Sequence, residues 1–142
     1  MGKLSDGQYP PVAGIPPQSL AIGSSADTAW ADIGTNNGRL KFTLYVGAIT
    51  STGTVDCALY QATSSAGAGA KTVSGKSLAQ ITVSNGIAVI EVGAADLDIN
   101  NGFHFVRAKV IDGTAAALVA VVVEGLPSAT PPGVVSPVVQ VV

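Results

Sequence analysis

Two stretches of this chain constrain its fold more than any other feature. From Arg39 to Gly47, Leu40, Phe42, Leu44 and Val46 alternate with Lys41, Thr43 and Tyr45, the period of two that sets apolar groups on one face of a strand. From Thr54 to Gln61, Val55, Cys57 and Leu59 alternate in the same way with Asp56, Ala58 and Tyr60. No segment holds apolar residues at helical spacing for longer than a turn, although Ala94 to Asp98 would allow one. The chain is therefore expected to be all-β, with these two strands forming one side of a sandwich.

Turn signals recur at strand-length spacing. Asn37-Gly38, Asn85-Gly86, Asn101-Gly102 and Asp112-Gly113 are pairs that accept the positive φ of tight turns. Between them the pattern predicts strands near Leu20–Ile22, Thr28–Ile33, Arg39–Gly47, Thr54–Gln61, Lys76–Val83, Ile87–Val92, Phe103–Ile111 and Ala115–Glu124. About eight strands make a single jelly-roll-like β-sandwich, with other Greek-key arrangements left open. The 8 prolines lie toward the two ends of the sequence, and proline is excluded from central strands. This places an N-terminal arm at residues 1–18, the sandwich at 19–126 and an extended, proline-containing C-terminal arm at 127–142.

Composition narrows the function. Hydrophobic residues reach 47% but aromatic ones only 5%, so the core must be built from Val, Ala, Ile and Leu, which suit pleated sheets. Charged residues amount to 11% and the net charge is -2, a surface with little repulsion to oppose permanent assembly and no basic footprint for nucleic acid. The first eighteen residues lack an apolar signal core, and the longest apolar run, Ala115 to Val123, is far short of a membrane span. A soluble protein made without export is expected, with no membrane partner. Cys57 is the single cysteine; on an apolar strand face it reads as a small buried hydrophobe in a reducing compartment.

Several motifs suggest chemistry and fall short of it. Ala70-Lys71-Thr72-Val73-Ser74-Gly75-Lys76-Ser77 fits a relaxed phosphate-loop pattern, but a Gly- and Ala-rich loop precedes it and Leu78 to Val83 alternates as a strand where a helix is required. Asp96, Asp98 and Asn100 start like a calcium loop, yet Asn101 replaces the glycine and Arg107 the bidentate Glu; a capped turn is expected. His104, the single histidine, has no placed Ser or Cys to activate and reads as structural. Arg107 and Lys109 share a strand face, with Glu91 or Asp56 as expected cross-strand partners. Trp30 is expected as a core anchor, the other possibility being a sugar-binding platform with Tyr45 and Tyr60. No enzyme activity, metal or cofactor is expected.

The order Asp27-Thr28-Ala29-Trp30, Phe42-Thr43-Leu44-Tyr45-Val46-Gly47, Val55-Asp56 and Leu59-Tyr60-Gln61-Ala62, followed by Gly75-Lys76, Leu97-Asp98, Asn101-Gly102-Phe103 and Val106-Arg107, resembles the head cement, or decoration, proteins of tailed bacteriophages. The resemblance spans about Ser19 to Leu126. It implies a non-enzymatic virion protein on the capsid exterior, assembled in the host cytoplasm, that cements neighbouring major capsid protein subunits. It also implies a homo-oligomer, for which a dimer is favoured over a trimer on symmetry grounds. The rival expectation is a carbohydrate-binding or tail-fibre adhesion module.

The C-terminal arm agrees with the first role. Gly125 to Val142 carries no charged residue and holds Val134, Val135, Val138, Val139, Val141 and Val142 between prolines. Six buried valines would gain roughly 10 kcal/mol, against an ordering cost of about 1–2 kcal/mol per residue. A proline-stiffened apolar tail of this kind suits addition to a partner's sheet or a groove between subunits, and these six valines are the expected partner-binding residues.

Overall fold

The computed structural model describes residues 11–36, 38–125 and 140–141. It is all-β: ten strands form two sheets, and among the described residues the only helical turns are three short 3-10 segments. The strands are β1 (Pro11–Leu20), β2 (Ser25–Asp27), β3 (Ala31–Asp32), β4 (Arg39–Ile49), β5 (Val55–Ala62), β6 (Lys71–Ser77), β7 (Gly86–Gly93), β8 (Phe105–Asp112), β9 (Ala117–Gly125) and β10 (Gln140–Val141). The first sheet has the order β1-β9-β4-β7-β10. The second has β2-β8-β5-β6, with β3 beside β2 on the same edge of β8. From β1 to β9 the chain changes sheet at every connection except β2–β3 and β5–β6, and β1-β9-β4-β7 faces β2/β3-β8-β5-β6. That strand order is a jelly roll.

The alternation read from the sequence builds the core. Leu40, Phe42, Leu44 and Val46 of β4, with Ile90 and Val92 of β7 and Val119, Val121 and Val123 of β9, face Val55, Cys57 and Leu59 of β5 and Val106, Ala108 and Val110 of β8. Phe42 is the one aromatic residue in this cluster, as a chain so poor in aromatics requires. Burial pushes the Cys57 thiol up to about 12, the state of an inert core residue.

Several local expectations need correction. β4 and β5 do not share a side of the sandwich; they lie in opposite sheets, because the loop between them crosses over. The prolines do not exclude the N-terminal segment from the fold: Pro11, Pro16 and Pro17 belong to β1, which pairs with β9. β1 is an edge strand, and its register shifts between Ile15 and Gln18, where Pro16 and Pro17 fall. An edge strand with a bulge needs no ladder donor from those residues. The strand expected over Lys76–Val83 lies earlier, at β6, and Ile81 contributes only an isolated bridge to Val55. The strand expected over Thr28–Ile33 is reduced to β3, and β2 lies just before the expected range, with residues 28–30 between them outside any strand. There the Thr28 hydroxyl accepts the N–H of Ala108 at 3.0 Å.

Candidate docking surface

The jelly-roll topology gathers four loops at one end of the sandwich: residues 21–24, 50–54, 78–85 and 113–116. None of these twenty-one residues is Asp, Glu, Lys, Arg or His. They are knitted by backbone hydrogen bonds, Gly113 N to Thr54 O at 2.8 Å, Thr50 N to Ala116 O at 2.9 Å, Asn85 N to Gly47 O at 2.9 Å and a reciprocal pair between Val55 and Ile81. The Ile49 N–H adds a bond to Ser84 Oγ at 2.9 Å, and the Thr114 hydroxyl donates to Thr52 O. The loops therefore form a preformed platform. At their tips stand the two most exposed large hydrophobic side chains among the described residues, Val83 at 72% and Ile22 at 67%.

An apolar groove leads away from this end along the outer face of the first sheet. It is open, about 1080 Å³, and walled by Pro16 and Pro17 of β1, Tyr45 of β4 and Leu118, Ala120 and Val122 of β9. The charges on that outer face collect at its far end, where Lys41 is the register partner of both Glu91 and Glu124. Thr43 and Val89, although outward-facing, are each only 4% exposed.

Beneath the uncharged loops lies one anomaly. Asp112, at the end of β8, is 1% exposed and neither carboxylate oxygen has a hydrogen-bond partner. Burial pushes its pKa above the ordinary carboxylate range, offset in part by the nearby Gly113 N–H, which is itself bonded to Thr54 O. The sequence predicts a positive-φ turn at Asp112-Gly113. Gly38, Asn85 and Gly102 do adopt positive φ, whereas Asp112 and Gly113 do not.

The opposite end is charged and cross-linked. Lys71 Nζ meets Asp98 Oδ2 at 2.5 Å and lies over the Phe103 ring, 4.0 Å from its centroid. Lys76 approaches Asp96 at 3.7 Å, and His104 Nδ1 lies 3.2 Å from Asp32 Oδ1, which also accepts the Gly34 N–H. The Lys71 hydrogen bond, then that of Asn101, holds the Asp98 carboxyl below the usual carboxylate range.

The tempting motifs resolve here. Lys71 to Ser77 is strand β6, so the phosphate-loop pattern lies on a strand. Asp96 accepts the Gly93 N–H at 2.8 Å and Asp98 the Asn101 side-chain amide at 2.8 Å, the capped turn that the spacing predicts. Among the described residues no three His, Cys, Asp or Glu side chains come together as metal ligands, and no helix is long and apolar enough to cross a membrane. The partner of Arg107 is Asp27 of β2, at 3.4 Å. Glu91 lies on the other sheet, and Asp56 accepts the side-chain amide of Gln80 instead.

Trp30 is no core anchor. It is half-buried outside the core cluster, with the Arg107 guanidinium 4.7 Å from its ring centroid. Gly67 closes on its edge, at a spacing where an added Cβ would stand 2.8 Å from the indole Nε1. Nor do the aromatics gather into a platform: Tyr45 is on the first sheet, Tyr60 on the second. Of the six arm valines, Val134, Val135, Val138, Val139 and Val142 lie outside the described residues. The backbone of Val141 pairs with Val89 of β7 in the same chain. Residue-by-residue reading of the sequence misses the uncharged end, because its four loops are separated in sequence and only the topology unites them. The sequence leaves no signal for it, since the loops 33–38 and 63–70 at the other end are uncharged too and of the loops between β1 and β9 only 94–104 carries charge.

Comparison with protein-family models and with curated proteins returns no match.

Proposed function

We propose that this protein is a non-enzymatic structural component of a tailed-phage head, a jelly roll that attaches to the capsid exterior and cements neighbouring major capsid protein subunits. The observation that supports this reading best is the uncharged, backbone-knit end of the sandwich with Ile22 and Val83 at its tips. Placed on a protein shell, such a surface buries apolar area without desolvating charge, and its order precedes binding. The sequence resemblance supplies the identity of the shell. A carbohydrate-binding or adhesion role would draw support from clustered exposed aromatics, and Trp30, Tyr45 and Tyr60 are spread over both sheets.

Co-sedimentation with undecorated heads tests the proposal. Wild-type protein is expected to pellet with heads at a fixed stoichiometry, and the Ile22→Asp, Val83→Asp double variant to remain in the supernatant. Wild-type protein that fails to pellet removes the role; a double variant that pellets equally well moves the attachment surface elsewhere.

A further inference from the structure

Among the described residues, Asp112 is the only buried Asp, Glu, Lys or Arg, and both of its carboxylate oxygens lack a hydrogen-bond partner. It points inward with Val106, Ala108 and Val110, but as the last residue of β8 it stands at the loop end of the sandwich. We infer that Asp112 is a proton-controlled latch: protonated, it lies dry beneath the loop 21–24; ionised, it draws in water by lifting that loop and β2 from β8.

An ionised carboxylate held away from water without a partner is costly, and a local opening that admits water costs less than unfolding. Among the described residues no charged group faces Asp112 to offset the charge. The loops 21–24, 50–54, 78–85 and 113–116 and strand β1 hold no Asp, Glu, Lys, Arg or His. In its own sheet, Asp56, Lys109 and Asp27 belong to the outer face, where Asp56 accepts the Gln80 amide and Asp27 meets Arg107. In the first sheet, Arg39, Lys41, Glu91 and Glu124 stand at the far end. The nearby Gly113 N–H is already bonded to Thr54 O.

The cover that yields is the least fastened one. Loop 50–54 is tied to loop 113–116 by Gly113 N to Thr54 O at 2.8 Å and Thr50 N to Ala116 O at 2.9 Å, and loop 78–85 is held by Asn85 and the reciprocal Val55–Ile81 pair. Loop 21–24 is held across by Asp112 N to Ser24 O at 2.9 Å and by the longer Gly23 N to Gly113 O at 3.3 Å. It leads into β2, an edge strand of three residues. Both of its bonds end on Asp112 and Gly113, where the new charge appears. Burial pushes the Asp112 pKa upward, the sign that such a latch needs: the opened form ionises in the ordinary carboxylate range and the closed form only above it. The inference concerns the free protein and holds or fails without capsids.

Amide hydrogen exchange tests it on the full chain, wild type and Asp112→Asn, read as protection factors so that the intrinsic pH dependence of exchange is removed. In the wild type, protection of the Gly23 amide and of the amide at position 112 is expected to be highest below the ordinary carboxylate pKa, to fall by about fivefold or more as pH rises, and to level off above the raised value of the closed form. In Asp112→Asn it is expected to stay high throughout. The amides of Thr50 and Ile81, in the neighbouring loops, are expected to keep their protection in both proteins. A wild-type protection that does not fall with pH overturns the latch, and so does an equal fall in Asp112→Asn. A fall shared by Thr50 and Ile81 overturns it as well, because the event is then unfolding of the whole end. So does protection at neutral pH that a chelator lowers, because the carboxylate is then held by a metal ion.

Discussion

The two ends of the sandwich are built from similar numbers of loops yet solve different problems. At one end, Lys71–Asp98, Lys76–Asp96 and His104–Asp32 tie strands β6 and β3 to the 94–104 loop through side-chain charge. At the other, the loops carry no charged residue of their own and are joined through backbone groups and hydroxyls, with Gln80 bonded to the Asp56 carboxylate at the start of β5. An exposed ion pair contributes little to stability, but it keeps a surface hydrated and resists burial by another protein, since covering it costs desolvation. A backbone-knit end carries no such cost. In the proposed role, the charged end stays wet and the other is covered.

The largest effect expected from this contrast is on attachment. Ile22→Asp with Val83→Asp removes two apolar anchors and places two carboxylates where a partner would dehydrate them. Each lost anchor is worth about 1.5–3 kcal/mol, so the pair should weaken binding to heads by at least about 100-fold, while the melting temperature of the free protein is unchanged because both side chains are exposed. A matched pair of substitutions at the charged end, Lys71→Glu and Asp96→Lys, should alter head binding by less than about threefold. Equal losses at both ends would abolish the contrast.

Next in size is a packing effect at the charged end. Gly67 has φ +84 and an added Cβ would press on the Trp30 indole. Gly67→Ala should therefore cost about 1–2 kcal/mol from the backbone conformation alone, measured by urea unfolding, with Trp30 fluorescence reporting the displaced contact. A neutral result would mean that the 63–70 loop is not held against Trp30.

A smaller effect separates the ends by pH. Asp112 has a raised folded pKa, so the folded state holds its proton more tightly than the unfolded state does. Its ionisation therefore destabilises the fold: the cost is absent below the ordinary carboxylate pKa, grows as pH rises through the raised folded value, and is complete above it. Asp112→Asn should stabilise the protein near neutrality by about 1 kcal/mol, and the gain should shrink to nothing in acid. A variant less stable than wild type at neutral pH would show that the carboxylate has a partner there.

What the sequence disclosed follows from the range of each signal. Strict alternation in Leu40–Val46 and Val55–Leu59 locates β4 and β5 because side-chain period is a local property. It does not assign those strands to opposite sheets, since that depends on the loop crossing between them. Proline marks the edges of the fold but not its boundary, because an edge strand with a bulge accepts Pro16 and Pro17. Trp30 misleads for a related reason: scarcity of aromatics suggests a core anchor, but the core is filled by β-branched residues and Phe42, and Trp30 serves as a surface shelf for Arg107. The uncharged end is the least legible feature, being a property of four loops that are adjacent only in space.

The smallest expected effect concerns the shortest ion pair. Lys71 is 45% exposed and Asp98 29%, so water competes for both charges, and Lys71 also keeps its contact with Phe103. Lys71→Gln preserves most of the side-chain stem while deleting the ammonium whose hydrogen bond contributes most to lowering the Asp98 pKa. A depressed carboxylate stabilises the fold above its unfolded pKa, and this is lost as pH falls through the folded value. The melting temperatures of wild type and Lys71→Gln should therefore differ slightly at neutral pH, converge in acid, and converge again in molar salt, which screens exposed charges. Calorimetry across pH and salt measures this directly. A difference that survives both treatments, or that matches the Gly67→Ala loss, would show that this pair holds the end together rather than keeping it wet.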